Sequence, residues 1–479
     1  MLPPMTSTET SIALGGLGRR GLWHEELIDT IKLSLPIALT QLGQVAMMTT
    51  DLALIGRLGE TAVAAAALGQ IVLFVGFVIG LGIVSAVAPL AAQAFGARNP
   101  RIVRRSLRVG LWVALMLGIP FAIVQFNGDS LLLFAGQDKQ TALLAQRYLD
   151  GLGWSLVPAW WFIALRNFMS AVNRPEPALW ITLVAIPANA LIAYALIHGA
   201  FGMPRLDLLG AGIGTTLVNL GMCIAAIWVC YARRPFKKYK VLGRFWRFDS
   251  TLFVKLLLVG APISASFLLE FGLFAMAGLL MGWISTTALA AHQIAIQIAS
   301  IMFMVPFGIS MAATVRVGQA VGRGDTPGVR RAGFVAIGLG ALFMAAMTLL
   351  VALTRDTIPL LFLNHSPETM ATIELTSTLL VLGASFFIFD GIQTIGAGAL
   401  RGLNDTRIPL LFAALSFWGV GFPSAYFLAF PKQMGAPGIW IGRTAGLLVF
   451  ATLLVWRFYR LSGRGDLTAI VTAPSSRGV

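Results

Sequence analysis

Charge is scarce in this chain, and negative charge is scarcest. Only 11% of its 479 residues are charged, with 20 Asp and Glu set against 35 Lys and Arg. Ordinary soluble proteins carry about 25% charged residues, whereas hydrophobic residues reach 57% here. Such a chain cannot cover its own surface with polar groups. That excludes a set of soluble domains and makes the lipid bilayer the solvent for most of the molecule. No long polar block is present from which a large extramembrane domain could be built. Cysteine is nearly absent. Cys223 and Cys230 stand about two helical turns, roughly 10 Å, apart, beyond disulfide reach, so neither a disulfide framework nor a zinc site is expected. Also missing are a phosphate-binding Gly-Lys-Ser/Thr loop, a His-Glu-x-x-His pair and a nucleophile elbow. The chain is therefore expected not to be an enzyme and to need no cofactor. Any pumping must draw on an ion gradient or a partner.

What is present is apolar length. About twenty apolar residues span a bilayer as a helix, and on that template twelve spans are expected. They lie near 31–55, 62–92, 107–126, 146–170, 178–199, 208–231, 254–281, 287–318, 332–353, 372–399, 408–430 and 437–459. Pro36, Pro89, Pro158, Pro187, Pro262, Pro306 and Pro423 fall in or near them and are candidate kinks. The first apolar run follows a polar segment without a small-residue cleavage pattern, so it reads as a membrane helix and not as a signal peptide. Lys and Arg concentrate in alternate loops, around Arg98–Arg108, in 232–253, around Arg316–Arg331 and after Arg457. This bias predicts a multi-pass protein of the cell inner membrane with both termini cytoplasmic. The net charge of +15 is thereby read as a topology signal, with no nucleic-acid partner.

The longest basic linker lies midway, and the chain repeats around it. At a constant offset of 226, Pro36 meets Pro262, Gly56 meets Gly282, Gln93 meets Gln319, Gly96 meets Gly322, and Arg104-Arg105 meets Arg330-Arg331. An even number of spans per half makes the repeats parallel, related by a pseudo-two-fold axis along the membrane normal. The expected fold is thus an all-α integral membrane protein of two six-helix bundles with a cavity between them, a design suited to alternating access. The expected organisation is a cytoplasmic N-terminal tail (1–27), a first bundle (28–231), a basic linker (232–253), a second bundle (254–460) and a C-terminal tail (461–479). The chain is expected to act as a monomer in the lipid bilayer.

An ionisable group in hydrocarbon costs several kcal/mol, so each one needs a reason. Three carboxylates stand out: Asp51 toward the outer end of the first span, Glu270 near the middle of the seventh, and Asp390 in the tenth. No Lys or Arg lies three or four residues from Glu270 or Asp390. Such a carboxylate can hold a proton at neutral pH, coordinate a hard cation such as Na+, or face a cationic substrate. A supporting polar set accompanies them: Gln41 and Gln44, Asn189, Thr215 and Thr216, His292 and Gln293, and Gln393. These residues suit either a transport site or interhelical hydrogen bonding, and His292 suits either a packed neutral ring or a proton relay. The aromatics beside Glu270 and Asp390, Phe274 among them, suit either a lipid-facing surface or a cavity for flat apolar cations.

Taken together, these residues resemble the multidrug and toxic compound extrusion (MATE) transporters, in their NorM branch. The resemblance covers about residues 28–460. It is strongest from Pro36 through Asp51 to Gly56, from Ala290-Ala291-His292-Gln293 through Pro306 to Arg316-Val317-Gly318, and in Gly398-Ala399-Leu400-Arg401-Gly402-Leu403-Asn404-Asp405-Thr406. It implies exchange of H+ or Na+ for an organic cation or other drug-like substrate. It also implies that Asp51, Glu270 and Asp390 are the functional carboxylates, with Glu270 and Asp390 as the candidate Na+ ligands. Asn189 matches an asparagine near the first-span aspartate, and Ala193 stands where some relatives carry a second one. A flippase or exporter of a lipid-linked or other amphiphilic metabolite, in a related superfamily, is the alternative.

Overall fold

The computed structural model describes residues 19–241, 243, 245–364 and 366–463, and every regular element among them is helical. In chain order the first half holds α1 (Arg19–Gly56), α2 (Glu60–Ser85), α3 (Val87–Gly96), α4 (Pro100–Phe126), α5 (Gly128–Phe134), α6 (Lys139–Leu152), α7 (Leu156–Ala171), α8 (Glu176–His198) and α9 (Asp207–Ala232). The second half holds α10 (Ser250–Ile284), α11 (Thr286–Arg323), α12 (Thr326–Thr354), α13 (Met370–Gly402), α14 (Arg407–Ala413), α15 (Phe422–Ala429) and α16 (Gly435–Ser462). The second half buries an apolar core of its own residues, whereas the main core of the first half also takes in Phe307, Met311, Ala312 and Val315 of α11.

Ten helical runs among the described residues are long and apolar enough to cross a membrane. The two other expected spans are helical as well, and each falls short of that measure for a local reason. In α1 the side chains Gln41, Gln44, Thr49 and Thr50 dilute the apolar run. The expected span 146–170 is divided between α6 and α7 by a break at 153–155.

That break is one of three set by proline. The helix is interrupted three residues before Pro158, and α2 gives way to α3 at Ala86, three residues before Pro89. A π-helical stretch, Ala414–Gly421, precedes Pro423. In each case the ring clashes with the preceding turn. Pro36, Pro187, Pro262 and Pro306 lie inside unbroken helices. At the repeat-related pair the helix is braced alike, with Thr40 Oγ1 donating to Pro36 O at 2.7 Å and Ser266 Oγ to Pro262 O at 2.9 Å.

The chain start differs from the expected tail. Helix α1 begins at Arg19 and not near residue 28, and residues 1–18 and 464–479 of the expected tails lie outside the described residues. The early turns hold because Glu26 is buried and accepts from Arg316 Nε at 2.7 Å, with Asp29 3.2 Å from the same guanidinium. Described residues of the basic linker pack on the first half. Phe236 is buried against Phe168, and Trp112 Nε1 donates to Phe245 O at 2.9 Å.

The halves meet along α1 with α11 and along α2 with α10. A Cβ on Gly308 of α11 would stand 2.7 Å from the Ala38 backbone of α1, so only glycine allows that approach. At the end bearing the Arg-rich loops, the repeat closes on itself through a reciprocal pair of glutamines. Gln93 donates to Gly402 O at 2.9 Å and accepts from Asn404 Nδ2 at 2.8 Å. Its repeat mate Gln319 donates to Ala171 O at 3.0 Å and to Asn173 Oδ1 at 2.9 Å. Asn173 and Asn404 both turn their helix ends with left-handed φ, 59° and 58°, a conformation asparagine tolerates. Each half thus plugs its glutamine into the turn of the other half.

Candidate functional site

The second half carries the richer polar cluster. Asp390 and Gln393, one helical turn apart on α13, face Glu270 from α10. The Gln393 Nε2 donates to Glu270 Oε1 at 3.0 Å, to Asp390 Oδ1 at 3.1 Å and to Thr394 Oγ1 at 3.0 Å. One amide therefore bridges both carboxylates. Asp390 is 4% exposed. Both acids line a cavity of about 440 Å³ between the halves. Its wall is aromatic, built from Phe74, Phe267, Phe271, Phe274, Phe303 and Phe386, and Gln41 reaches it from the first half. Of the rings neighbouring the acids in sequence, Phe267, Phe271, Phe274 and Phe386 line this cavity.

Two guanidiniums complete the cluster. Arg443 of α16 is 1% exposed, and none of its side-chain nitrogens has a hydrogen-bond partner. It is held by ring faces, with Cζ 4.3 Å from the Phe274 centroid, 4.8 Å from Phe386 and 5.3 Å from Trp440. Arg401 of α13 lies 4.9 Å over Phe267 and shares a second, smaller cavity with Glu270, Gln393 and Asp405. Both guanidiniums stand within electrostatic reach of Glu270. Glu270 of α10 is therefore met across helices by both cations, and Asp390 by Arg443, while Arg401 lies three turns beyond Asp390 on α13.

The first half holds a separate cluster. Asp51 accepts from Asn189 Nδ2 at 2.6 Å and from Thr215 Oγ1 at 3.2 Å, joining α1, α8 and α9. Asp51 does not line the aromatic cavity. Ala193, one turn beyond Asn189, is buried against Gly214, whose added Cβ would lie 3.4 Å from Ala193 Cα.

The remaining candidates are placed as follows. Gln41 accepts from Arg166, and Gln44 Oε1 lies 3.4 Å from the same guanidinium. Thr216 turns away from Asp51 and donates to Gly151 O at 2.7 Å, because adjacent helical positions point about 100° apart. His292 is buried edge-on to Trp440, with Nδ1 unpartnered, and it does not line the aromatic cavity. Gln293 is exposed and does not line the aromatic cavity, although it lies on the face of α11 that carries Ile296, Ser300 and Phe303 of the cavity wall. Sequence reasoning missed Arg166, Arg401 and Arg443 as site residues, since basic residues near span ends read as loop charges. The available signal for Arg443 was its position inside the apolar run 437–459.

With this geometry in hand, the chain can be set against known proteins. The family profile described as MatE matches residues 36–195 and 262–427, two copies whose starts lie 226 apart, the offset of the internal repeat. A probable multidrug resistance protein NorM of Rhodopseudomonas palustris is 60% identical over 475 residues, covering 99% of this chain and 100% of that protein. The multidrug resistance protein NorM of Burkholderia vietnamiensis is 38% identical over 94% of this chain and 96% of its own length. Among solved structures, the eukaryotic MATE transporter AtDTX14 superposes with a TM-score of 0.81 at 20% identity, covering 94% of this chain and 99% of that one. A MOP superfamily transporter from Pyrococcus furiosus, described as having a binding pocket of reverse polarity, superposes with a TM-score of 0.80 at 17% identity, covering 94% of this chain and 97% of that one. Profile, identity over nearly the full length and fold agree, and the chain belongs to the MATE family of multi-pass membrane transporters.

Proposed function

We propose that the chain is a secondary active multidrug efflux antiporter of the inner membrane. It exports organic cations in exchange for H+ or Na+ by alternating access, as a monomer with both termini cytoplasmic. The observation that carries this reading is the amide bridge from Gln393 to Glu270 and Asp390 at the wall of an aromatic cavity between the two halves. The rings suit a flat, apolar cation, and the acids supply its counter-charge.

The two guanidiniums sharpen the exchange. With both acids ionised, Arg401 and Arg443 offset them, and the site is close to neutral. Loading one H+ or Na+ then makes it positive and expels a bound cation, while unloading restores affinity. A conformational cycle can be driven only by such differential affinity. Gln393 presents an N–H donor to both acids, which favours their ionised form and leaves them ready to take up either coupling ion, H+ or Na+. The Asp51–Asn189–Thr215 cluster provides a second ion-binding position in the first half.

The test is drug efflux from proteoliposomes under separately imposed pH and Na+ gradients, wild type beside Asp390→Asn. Efflux driven by one of the two gradients and lost at least tenfold in the variant is expected. Undiminished efflux by Asp390→Asn sinks the assignment. The second reading, export of an anionic amphiphile, is favoured by the unpaired Arg443 and by the reverse-polarity pocket on the same fold in the Pyrococcus furiosus protein. It predicts the opposite sign, with Asp390→Asn tightening the binding of an anionic cargo.

A further inference from the structure

A concavity larger than the transport cavity lies outside it. It is a crevice of about 1070 Å³ between α8 and α9, open along its length to the lipid-facing side. Its shape follows from where small residues sit. Near the Asp207 end the helices touch, and a Cβ on Gly210 would stand 2.5 Å from Leu196 O. One turn on, a Cβ at Gly214 would stand 3.4 Å from Ala193 Cα. Two turns further, a Cβ at Gly221 would meet nothing within 4 Å. The helices therefore splay toward the Arg233 end, and the gap is floored by Ala185, Ala188, Gly221 and Ala225. Trp180 and Trp228 flank it, 65% and 59% exposed, amphipathic rings of the kind that gather at a membrane interface.

The wide end is basic. Arg174, Arg233 and Arg234 line it together with Glu176, an excess of two positive charges. Among the described residues none of these three arginines forms an ion pair or a side-chain hydrogen bond, so their donors are directed at nothing in the protein. An apolar trough that ends in unpaired guanidiniums at the membrane surface is complementary to one molecular shape, a phosphate head on an acyl chain.

We propose that this crevice is a specific binding site for an anionic phospholipid. The head phosphate lies on Arg174, Arg233 and Arg234, and one acyl chain lies along the Gly221 floor. A zwitterionic lipid fits the trough but gains little at the mouth, because its own cation offsets the phosphate. Free phosphate gains at the mouth but leaves the trough unfilled. The occupant would tie α8, which supplies Asn189 to Asp51, to the linker that joins the two halves.

The test uses the full-length protein, delipidated in detergent and titrated with brominated phosphatidylglycerol, brominated phosphatidylcholine or inorganic phosphate. Tryptophan quenching is the readout, and a Trp180→Phe/Trp228→Phe variant assigns the signal. Phosphatidylglycerol is expected to quench at least tenfold more tightly than phosphatidylcholine. Each of Arg174→Gln, Arg233→Gln and Arg234→Gln should weaken it about fivefold. Gly221→Leu, whose Cβ meets nothing within 4 Å, should abolish the tight phase at unchanged melting temperature. Equal quenching by the two lipids overturns the proposal, as does quenching indifferent to the arginine variants. Full displacement of phosphatidylglycerol by millimolar inorganic phosphate also overturns it, since the site would then read the head alone. The arginines sit at the surface end of the crevice and carry the test even if the glycine variant folds poorly.

Discussion

A few atoms decide the chemistry of this transporter. The bridge from Gln393 to Glu270 and Asp390 makes the two acids a single unit, so changing either one alters the charge felt by the other. Arg443 is the least conventional member, since its guanidinium is surrounded by ring faces with no hydrogen-bond partner. Replacing it by methionine removes a fixed positive charge beside the acids. Cationic substrate should then bind about tenfold more tightly, within the 1–3 kcal/mol typical of ligand coupling, while ion-driven release slows. Equilibrium dialysis beside an efflux assay separates the two effects. In the other half, Asn189→Ala strips Asp51 of its 2.6 Å donor and should lower stability by about 1–3 kcal/mol, seen as a lower melting temperature in detergent.

At the scale of elements, packing is set by where side chains are missing. Helices α1 and α11 approach closely because Gly308 lies on the Ala38 backbone. Gly308→Val should force them apart at a cost of about 1–3 kcal/mol, measurable by thermal or chemical denaturation in detergent. The start of α10 depends on Asp249, whose carboxylate accepts from Leu252 N at 3.2 Å and pairs with Arg105. Asp249→Ala removes both and should cost about 1 kcal/mol, as loss of an N-cap does. Proline acts less uniformly. Pro89, Pro158 and Pro423 break or distort their helices, whereas Pro36 and Pro262 sit in continuous ones braced by a hydroxyl one turn later.

At the scale of the whole molecule, the reciprocal glutamines explain how a duplicated chain shuts one end. Gln93 and Gln319 each satisfy a helix end of the opposite half, so closure is doubled by symmetry. Each buried bond is worth about 1 kcal/mol net. Gln93→Ala with Gln319→Ala should therefore shift the equilibrium toward opening by an order of magnitude or more. Amide exchange over 93–99 and 319–325 should accelerate in the double variant, and unchanged exchange would show that the bonds do not hold the closed end. Much of this was legible beforehand. The offset of 226 that pairs Gln93 with Gln319 is a sequence fact, and Asp51, Glu270, Asp390, Gln393, Asn189 and Phe274 were singled out as polar or aromatic residues inside apolar spans. Their partners were not legible, because Gln393 with Glu270, Asn189 with Asp51 and Arg443 with Phe274 all join residues more than a hundred positions apart.

The sequence by itself determined the solvent, the number of spans and the internal repeat. Bilayer thickness and the lack of water inside it leave a greasy chain few ways to satisfy its backbone. It also determined which polar residues needed an explanation, because charge is costly in hydrocarbon wherever it occurs. Only the tertiary structure decided that Thr215 and not Thr216 serves Asp51, that His292 packs on Trp440 away from the aromatic cavity, and that Arg401 and Arg443 belong to the acid pair rather than to loops. Those outcomes depend on the rotation of each helix about its axis and on the neighbour it meets, and both are fixed by packing across the fold.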